Sequence, residues 1–486
     1  MDSDLRLGAC KSRESVSSRL RDADVPRLFF VPRRWRCWSL SLPVLLALPC
    51  HLLLSLPSSA EVDTHRKIFT LNEAYQLARE SYPQLAMAQY NVDGKRAAKD
   101  VARGSFFPQI SIFGDWSENK LRYEASALSQ MPTQEYPGER YGLQLRSPLF
   151  NMRAFREYER QSALFDQSEY ELGIAEAELL ARVVEAFLSA VLAKESLLQL
   201  ESELTAADAQ LAAANALFKR SLLPITHVLE AQTRVDILGA DVINASGSVA
   251  LSQQKLNQLV GRDVIIPEAI ASEFVLLSSF SGADQAAFAA LQSDVAISAA
   301  EEALNAARKA VEREKGSWWP EVDFVYTSQY SDVGFDNLTS PPRSSESFSI
   351  SMRYPLFEGG AGSARLRGAW AEFYVAQQSL EATKREIEGR ARTAWVGLEV
   401  TTQRVKASRQ AVKTAETNLA ATRKAVTAGT ANITDALLAL AQLTRAQRDL
   451  SESRFLRATR WLELQLVTGS DPLGLASSLS HALHGS

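Results

Sequence analysis

Residues 347–357 read Ser-Phe-Ser-Ile-Ser-Met-Arg-Tyr-Pro-Leu-Phe, so that Phe348, Ile350, Met352 and Tyr354 alternate with Ser347, Ser349, Ser351 and Arg353. A period of two puts every apolar side chain on one face of a strand and every polar one on the other. Earlier in the chain Tyr141, Leu143 and Leu145 interleave with Gly142, Gln144 and Arg146 in the same way, just ahead of Ser147-Pro148-Leu149-Phe150. The partner stretches 110–116 and 322–330 alternate less cleanly. A water-soluble sheet turns such an apolar face to a core, whereas a membrane barrel turns it to lipid and keeps Gln and Arg in the lumen. Trp116, Tyr141, Tyr330 and Tyr354 suit the aromatic girdles of a barrel, although strand propensity alone also enriches aromatics.

Working outward from these strands, the body reads as one pattern twice. Phe106-Phe107-Pro108-Gln109-Ile110 returns as Trp318-Trp319-Pro320-Glu321-Val322, an offset of 212, and Pro148-Leu149-Phe150 returns as Pro355-Leu356-Phe357, an offset of 207. The heptad series Leu197, Leu204, Leu211, Phe218 returns as Val405, Val412, Leu419, Val426, each 208 residues later. Ile225-Thr226 answers to Ile433-Thr434 in that register, and Leu259-Val260-Gly261 to Leu466-Val467 and Gly469. Five matches in one order, with offsets drifting where loops absorb the change, indicate duplication.

Each copy orders a helix, a short strand, a loop, a second strand, a very long helix, a sharp break and a shorter return helix. Residues 153–221 hold no proline and are rich in Ala, Leu and Glu, which favours one continuous helix. About seventy residues at roughly 1.5 Å each give on the order of 100 Å, so the helix must pack along partners. Its seven-residue apolar spacing calls for left-handed supercoiling. The helices alone fit a coiled-coil scaffold equally well; the strands separate the two readings. Two strands per copy make four, too few to close a barrel around a channel, so several chains are required.

The expected layout is a leader and signal peptide over 1–60, a first repeat over 61–262, a linker over 263–284, a second repeat over 285–470 and a tail over 471–486. In the first repeat strands are expected at about 109–118 and 140–149, the long helix at about 151–221 and the return helix at about 226–260. The second repeat places them at about 321–330 and 346–355, 361–428 and 434–467.

Arg33, Arg34 and Arg36 precede a charge-free apolar run from Trp38 to Leu56, and Ser58 and Ala60 supply the small residues of a signal-peptidase site. A retained anchor would need to tolerate Pro43, Pro49 and His51; a lipoprotein at Cys50 would need to tolerate Pro49 before it. All three cysteines, Cys10, Cys37 and Cys50, lie in this leader, leaving the body without disulfides or thiolate metal ligands. The first sixty residues carry nine Lys/Arg against five Asp/Glu, so of the net −4 the remainder holds −8, an acidic body with no footing for nucleic acid. Beyond Ala60 no run of eighteen apolar residues occurs, and any membrane span there is a barrel. The polar loops 119–138 and 332–346 then face outside the cell, with the helices on the opposite side.

Thr70-Leu71-Asn72-Glu73-Ala74 with Tyr82-Pro83-Gln84-Leu85, the helix-to-strand Phe-Pro-Gln turn, Tyr354-Pro355-Leu356-Phe357-Glu358-Gly359-Gly360, and Gly429-Thr430 before Ile433-Thr434-Asp435 together resemble the TolC-type outer-membrane efflux proteins over about 69–469. The resemblance implies a mainly α fold with a membrane β-barrel contribution: a homotrimer sharing one barrel, with a long α-helical coiled-coil tunnel in the periplasm. It implies partners as well, namely a periplasmic adaptor protein, an inner-membrane pump and outer-membrane lipid.

The breaks at 220–226 and 428–434 are the expected periplasmic tips, with Pro224 stopping one long helix and Gly429 ending the other. Thr226 and Thr434 are expected as N-caps of the return helices. By resemblance the tips also contact the adaptor: Gly429, Thr430 and Leu437 match the second-copy pattern, Leu222 and Leu229 the first, while Ser221 replaces the usual glycine. Asp435 stands where relatives narrow the closed tunnel with acidic side chains, and Leu438 stands one turn on, making a partly apolar gate. Three Asp435 carboxylates about an axis would hold cations; alternatively, Asp435 complements the helix dipole.

No catalytic, cofactor-binding or metal constellation is legible. Of five histidines only His227 lies in the helical body, where a solvated tip position is expected, and paired acids such as Glu301-Glu302 suit a solvated face. Without a phosphate-cradling glycine motif, energy must come from a partner. A periplasmic coiled-coil adaptor would share the helices and the signal but not the duplicated Pro-Leu-Phe strand; an enzyme fits least. The expected function is passive conduction of substrates from a pump to the exterior in a tripartite efflux or type I secretion system. The cargo stays open among drug, metal, siderophore, polysaccharide and protein.

Overall fold

A computed structural model describes residues 70–121, 134–267, 280–332 and 341–484. The expected leader, its cleavage site, most of the linker and the tips of both strand-connecting loops lie outside these residues.

The first half runs α1 (Leu71–Ser81), α2 (Pro83–Gly104), β1 (Gln109–Leu121), β2 (Gln134–Phe150), α3 (Met152–Lys219) and α4 (Ile225–Val260). The second repeats this order as α5 (Ala283–Ser293), α6 (Val295–Gly316), β3 (Glu321–Asp332), β4 (Arg343–Arg353), α7 (Ala361–Thr427) and α8 (Ile433–Val467). The fold is thus mostly helical with one small sheet. No described helix is long and apolar enough to cross a membrane.

Local chemistry explains the punctuation. Thr70 and Glu73 form a reciprocal capping box at the start of α1, with Glu73 N–H donating to Thr70 Oγ1 at 3.3 Å and Thr70 N–H to Glu73 Oε2 at 3.0 Å. Pro83 stands at the first position of α2, where its missing N–H costs nothing. Asn151 caps α3 by accepting from Ala154 N–H at 2.9 Å. At 68 residues, α3 is on the order of 100 Å long.

A helix so long cannot bury its stripe against one neighbour. α2 covers its strand-side half and α4 the far half, while α6 and α8 of the second copy cover its other flank in the same division. Around the protomer the order is α2–α3–α6–α7 near the sheet and α4–α3–α8–α7 beyond. The largest core lies at the changeover, where Tyr75, Leu179, Leu180, Phe187, Leu256 and Leu464 are buried. Burial of the Tyr75 phenol, reinforced by Glu176, pushes its pKa up to about 12. Within 471–486, expected as a tail, the described residues form α9 (Pro472–His484), whose Leu475, Ala476, Leu479 and Leu483 join this core. Val264 and Ile266, assigned to the linker, are buried there too.

Both return helices end against the short opening helix of their own copy. Gly261 takes φ +76°, and a Cβ on it would lie 2.9 Å from Ser81 Oγ, which donates to the Val260 carbonyl at 2.8 Å. Gly469, also at φ +76°, stands so close to Ser293 that a Cβ would meet its carbonyl oxygen at 2.4 Å, and Ser293 Oγ donates to the Thr468 carbonyl at 2.9 Å. Left-handed backbone and close approach together require glycine at both places.

The four strands form one antiparallel sheet in the order β1-β2-β3-β4. They run further than the alternation indicates, to Leu121 in β1 and from Gln134 in β2, because the hairpin ladder continues past the apolar rows. Gln109 faces Arg146 in the first hairpin and Glu321 faces Arg353 in the second, so the offsets of 212 and 207 reproduce one register. Pro148 sits at a bulge between β2 and β3, and Pro137 lies beyond the reach of β3, the two kinds of place where a strand tolerates proline.

Candidate functional site: the sheet faces and the hairpin tips

The cross-strand register assembles all four strands into one apolar face. Ile110 and Ile112 of β1 face Leu145 and Leu143 of β2; Leu145 faces Tyr326 of β3; Phe324 and Tyr326 face Ile350 and Phe348 of β4. The less regular strands thus place most of their apolar residues on the same face as the regular ones, with Phe113 and Val325 on the other. Ile112 is 82% exposed and Ile350 70%, so none of the described residues covers this face. The opposite face carries Gln144, Thr327, Gln329, Ser347 and Ser349, with Arg140 donating to Asp115 at 2.7 Å and Arg146 paired with Asp323. Tyr141 and Tyr330 stack with ring centroids 5.0 Å apart at one end, and Phe150 and Trp319 meet at 6.2 Å at the other. Trp319 and Tyr330 are eleven residues apart, about what a tilted strand needs to cross hydrocarbon. The outer edges of β1 and β4 have no partner strand among the described residues.

Beneath the sheet, ion pairs tie the two copies together. Arg313 of α6 reaches Glu157 of α3 at 2.9 Å, and Lys309 reaches Glu159 at 3.3 Å. Burial works against the Glu157 carboxylate, but hydrogen bonds from Gln161 and Arg313 outweigh it and hold its pKa below the ordinary value. Glu159 is lowered likewise by Arg156 and Lys309, against its own burial.

At the far end each long helix closes in a Schellman turn: Leu222 N–H donates to the Leu217 carbonyl at 3.0 Å, and Thr430 N–H to that of Ala425 at 2.9 Å. Ser221, at φ +57°, is the one non-glycine left-handed residue described, and its counterpart 208 residues on is Gly429 at φ +75°. Pro224 does not stop α3, which ends five residues earlier; it is the N-cap of α4. Asn432 caps α8, so neither Thr226 nor Thr434 is an N-cap. Thr434 lies inside the first turn and donates to Glu230 of α4 at 2.8 Å. His227 is half-buried rather than freely solvated, with Nδ1 3.4 Å from Glu230.

Asp435 is exposed and completes a capping box, accepting from Asn432 N–H at 2.9 Å, and Leu438 is exposed one turn on. Leu222 and Leu229 are exposed, as are Gly429 and Thr430. Leu437 is not available as an adaptor contact: it is 6% exposed, packed with Leu200, Ala207, Ala231 and Leu238. Sequence reasoning passed over Glu230, though the offset of 208 was the signal for it, because it aligns Glu230 with Leu438 and His227 with Asp435.

A sheet with one bare and mainly apolar face, joined to paired helices far longer than a domain is wide, defines a membrane channel subunit rather than a globular enzyme or a soluble scaffold. The chain belongs to the outer membrane efflux protein family, whose profile matches residues 74–262 and 288–470. It is similar to the alkaline protease secretion protein AprF of Pseudomonas aeruginosa, 26% identical over 409 residues covering 82% of this chain and 84% of that protein. The proteases secretion protein PrtF of Dickeya chrysanthemi is 22% identical over 406 residues, 82% and 88% of the two chains. Among solved structures, the fold is shared with VceC of Vibrio cholerae (TM-score 0.69, 18% identity, 82% of this chain and 96% of that one). CusC shares it too (TM-score 0.71, 17% identity, 86% and 96%). The chain is an outer-membrane efflux or secretion channel with its helices in the periplasm.

Proposed function

We propose that three copies close one twelve-stranded barrel and a coiled-coil tunnel that receives substrate from an inner-membrane pump through a periplasmic adaptor, and that the cargo is a secreted protein. The observation that carries the closure is the sheet itself: four strands with one bare apolar face and two open edges cannot be stable in lipid alone, since each unpaired edge group there costs several kcal/mol. The names of AprF and PrtF, both protease secretion proteins, favour protein cargo.

Leu222, Leu229, Gly429 and Thr430 stay exposed at or beside the tips, where an adaptor would approach, whereas Leu437 is dropped from that role. Asp435 and Leu438 are the proposed gate, with the Asp435 carboxylate ring drawing in cations once three copies meet. Deleting the gene and tracking exported protein tests the cargo: loss of an extracellular protease that the intact gene restores supports it, and unchanged secretion with new sensitivity to small toxic compounds refutes it. Outer-membrane fractionation with unheated gels tests the closure, which fails if the protein migrates only as a monomer.

A further inference from the structure

A cleft of about 500 Å³ opens between α3 and α8, lined by Ser196 and Gln199 of the first and by Arg445, Arg448, Asp449 and Glu452 of the second. We propose that it binds an acidic segment of extended polypeptide, with the Arg445 and Arg448 guanidinium groups taking a side-chain carboxylate and Gln199 accepting an amide N–H of the segment. The site serves the secreted-protein cargo proposed above and rests on the tunnel side assigned to Asp435 and Leu438.

Placement follows from the heptads. Arg445 and Glu452 stand seven and fourteen residues beyond Leu438, and Asp449 fourteen beyond Asp435, so the lip of the cleft continues the two rows of the proposed gate. All five of these side chains are exposed. The row through Leu437, Thr444, Ser451 and Ala458 is buried and takes no part. At about 1.5 Å per residue, Arg445 lies roughly 10 Å along α8 from Leu438, so a chain that has passed the gate meets it next.

The side chains select the ligand. Gln199 Oε1 is buried and accepts no hydrogen bond among the described residues, an acceptor waiting for a donor. Arg445 and Arg448 have no ion-pair partner among the described residues, whereas Glu452 lies 3.7 Å from Arg404. Arg404, Arg445 and Arg448 against Asp449 and Glu452 leave the cleft with one positive charge, on a hairpin that carries eleven Lys/Arg against four Asp/Glu over 400–460. A free carboxylate would satisfy the guanidinium forks but brings Gln199 no donor. A basic peptide brings donors but meets two cations. An acidic peptide supplies both the carboxylate and the N–H groups. The first hairpin offers no such site: 208 residues before Arg445, Arg448 and Glu452 stand Ile237, Ala240 and Asn244.

A short fluorescein-labelled poly-L-glutamate is the probe. Anisotropy titrations of the full-length protein in detergent should show binding that weakens at least about tenfold in the double variant Arg445→Gln with Arg448→Gln, the scale of one lost hydrogen bond to a charged group. Ser196→Asp keeps both arginines and sets an acid in the cleft, so it should weaken binding likewise, and it decides the matter if the double variant does not assemble. Arg423→Gln with Lys424→Gln, exposed cations outside the cleft, should leave binding unchanged. Binding that survives both cleft variants, or that the outside pair weakens equally, overturns the site. In planar bilayers the peptide, added from the barrel side so that it need not cross Asp435, should interrupt the current of the wild type and not that of the double variant. Arginine-dependent binding without interruption keeps the cleft as a site and overturns the tunnel side assigned to α8. Unchanged protein secretion on gene deletion, with that binding intact, overturns the protein cargo alone.

Discussion

The two helical hairpins descend from one pattern and have become chemically opposite. Residues 192–252 of the first carry four Lys/Arg against seven Asp/Glu, a net −3, and the equivalent 400–460 of the second carry eleven against four, a net +7. Leu229 of the first is 58% exposed and its counterpart Leu437 is 6% exposed. At the turn, Ser221 holds a left-handed conformation that Gly429 adopts without strain. The sheet, by contrast, keeps one register and one apolar face in both copies. Lipid asks the same of every strand, whereas each hairpin meets different neighbours, so the strands stayed alike while the helices diverged.

The sharpest way to break this contrast is truncation of the equivalent leucines. Leu437→Ala should cost about 2–5 kcal/mol of unfolding free energy at any protein concentration, because it opens a cavity inside one protomer. Leu229→Ala, at an exposed position, should leave the unfolding free energy nearly unchanged and weaken adaptor binding instead. Denaturation series at several concentrations separate the two, and equal behaviour would mean that the hairpins are not distinguished by who covers them.

The sheet is expected to show no such difference between copies. Leu143→Arg and Ile350→Arg, counterparts on the apolar face, should each cost roughly 2–4 kcal/mol and abolish stable assembly, while Ser349→Arg on the polar face is tolerated. Equal oligomer yields from Ile350→Arg and Ser349→Arg would show the faces to be misassigned.

At the tips the effects are smaller and opposite in sign. Gly429→Ala forces a Cβ into the left-handed region and should destabilise by about 1 kcal/mol; Ser221→Gly relieves the same strain and should stabilise by up to about 1 kcal/mol. Thermal melts of the two variants check this.

Asp435→Asn should move stability least, by about 0.3–1 kcal/mol at a helix N-terminus. It nevertheless should remove cation preference and block by multivalent cations in planar bilayers. Unaltered conduction with lowered stability would leave Asp435 as the cap partner of Asn432 alone.

The ion pairs that join the copies add a pH dependence shared by both. Glu157 and Glu159 have folded pKa values below the ordinary value of 4.5, so their contribution is full above that pH and is lost as pH falls through the depressed values. The double variant Glu157→Gln with Glu159→Gln should therefore lose stability at neutral pH and unfold with a shallower acid transition, read by circular dichroism against pH.

Much of this was legible in the residues because it is local or periodic. Ser-Phe-Ser-Ile-Ser-Met reports a two-faced strand wherever it occurs, a proline-free Ala/Leu/Glu run reports a long helix, and repeated offsets report duplication. The sequence by itself thus determined the alternation, the heptads, the two hairpins and the left-handed glycine at Gly429. Tertiary structure alone decided that Asn432 rather than Thr434 caps α8, that Thr434 instead reaches Glu230, and that the last residues form a buried helix. It also decided that Leu437 is interior where Leu229 is bare. The physical reason is that burial belongs to the pair of surfaces that meet and not to the residue: identical leucines at identical heptad positions differ because α8 lies inside the protomer and α4 lies at its edge.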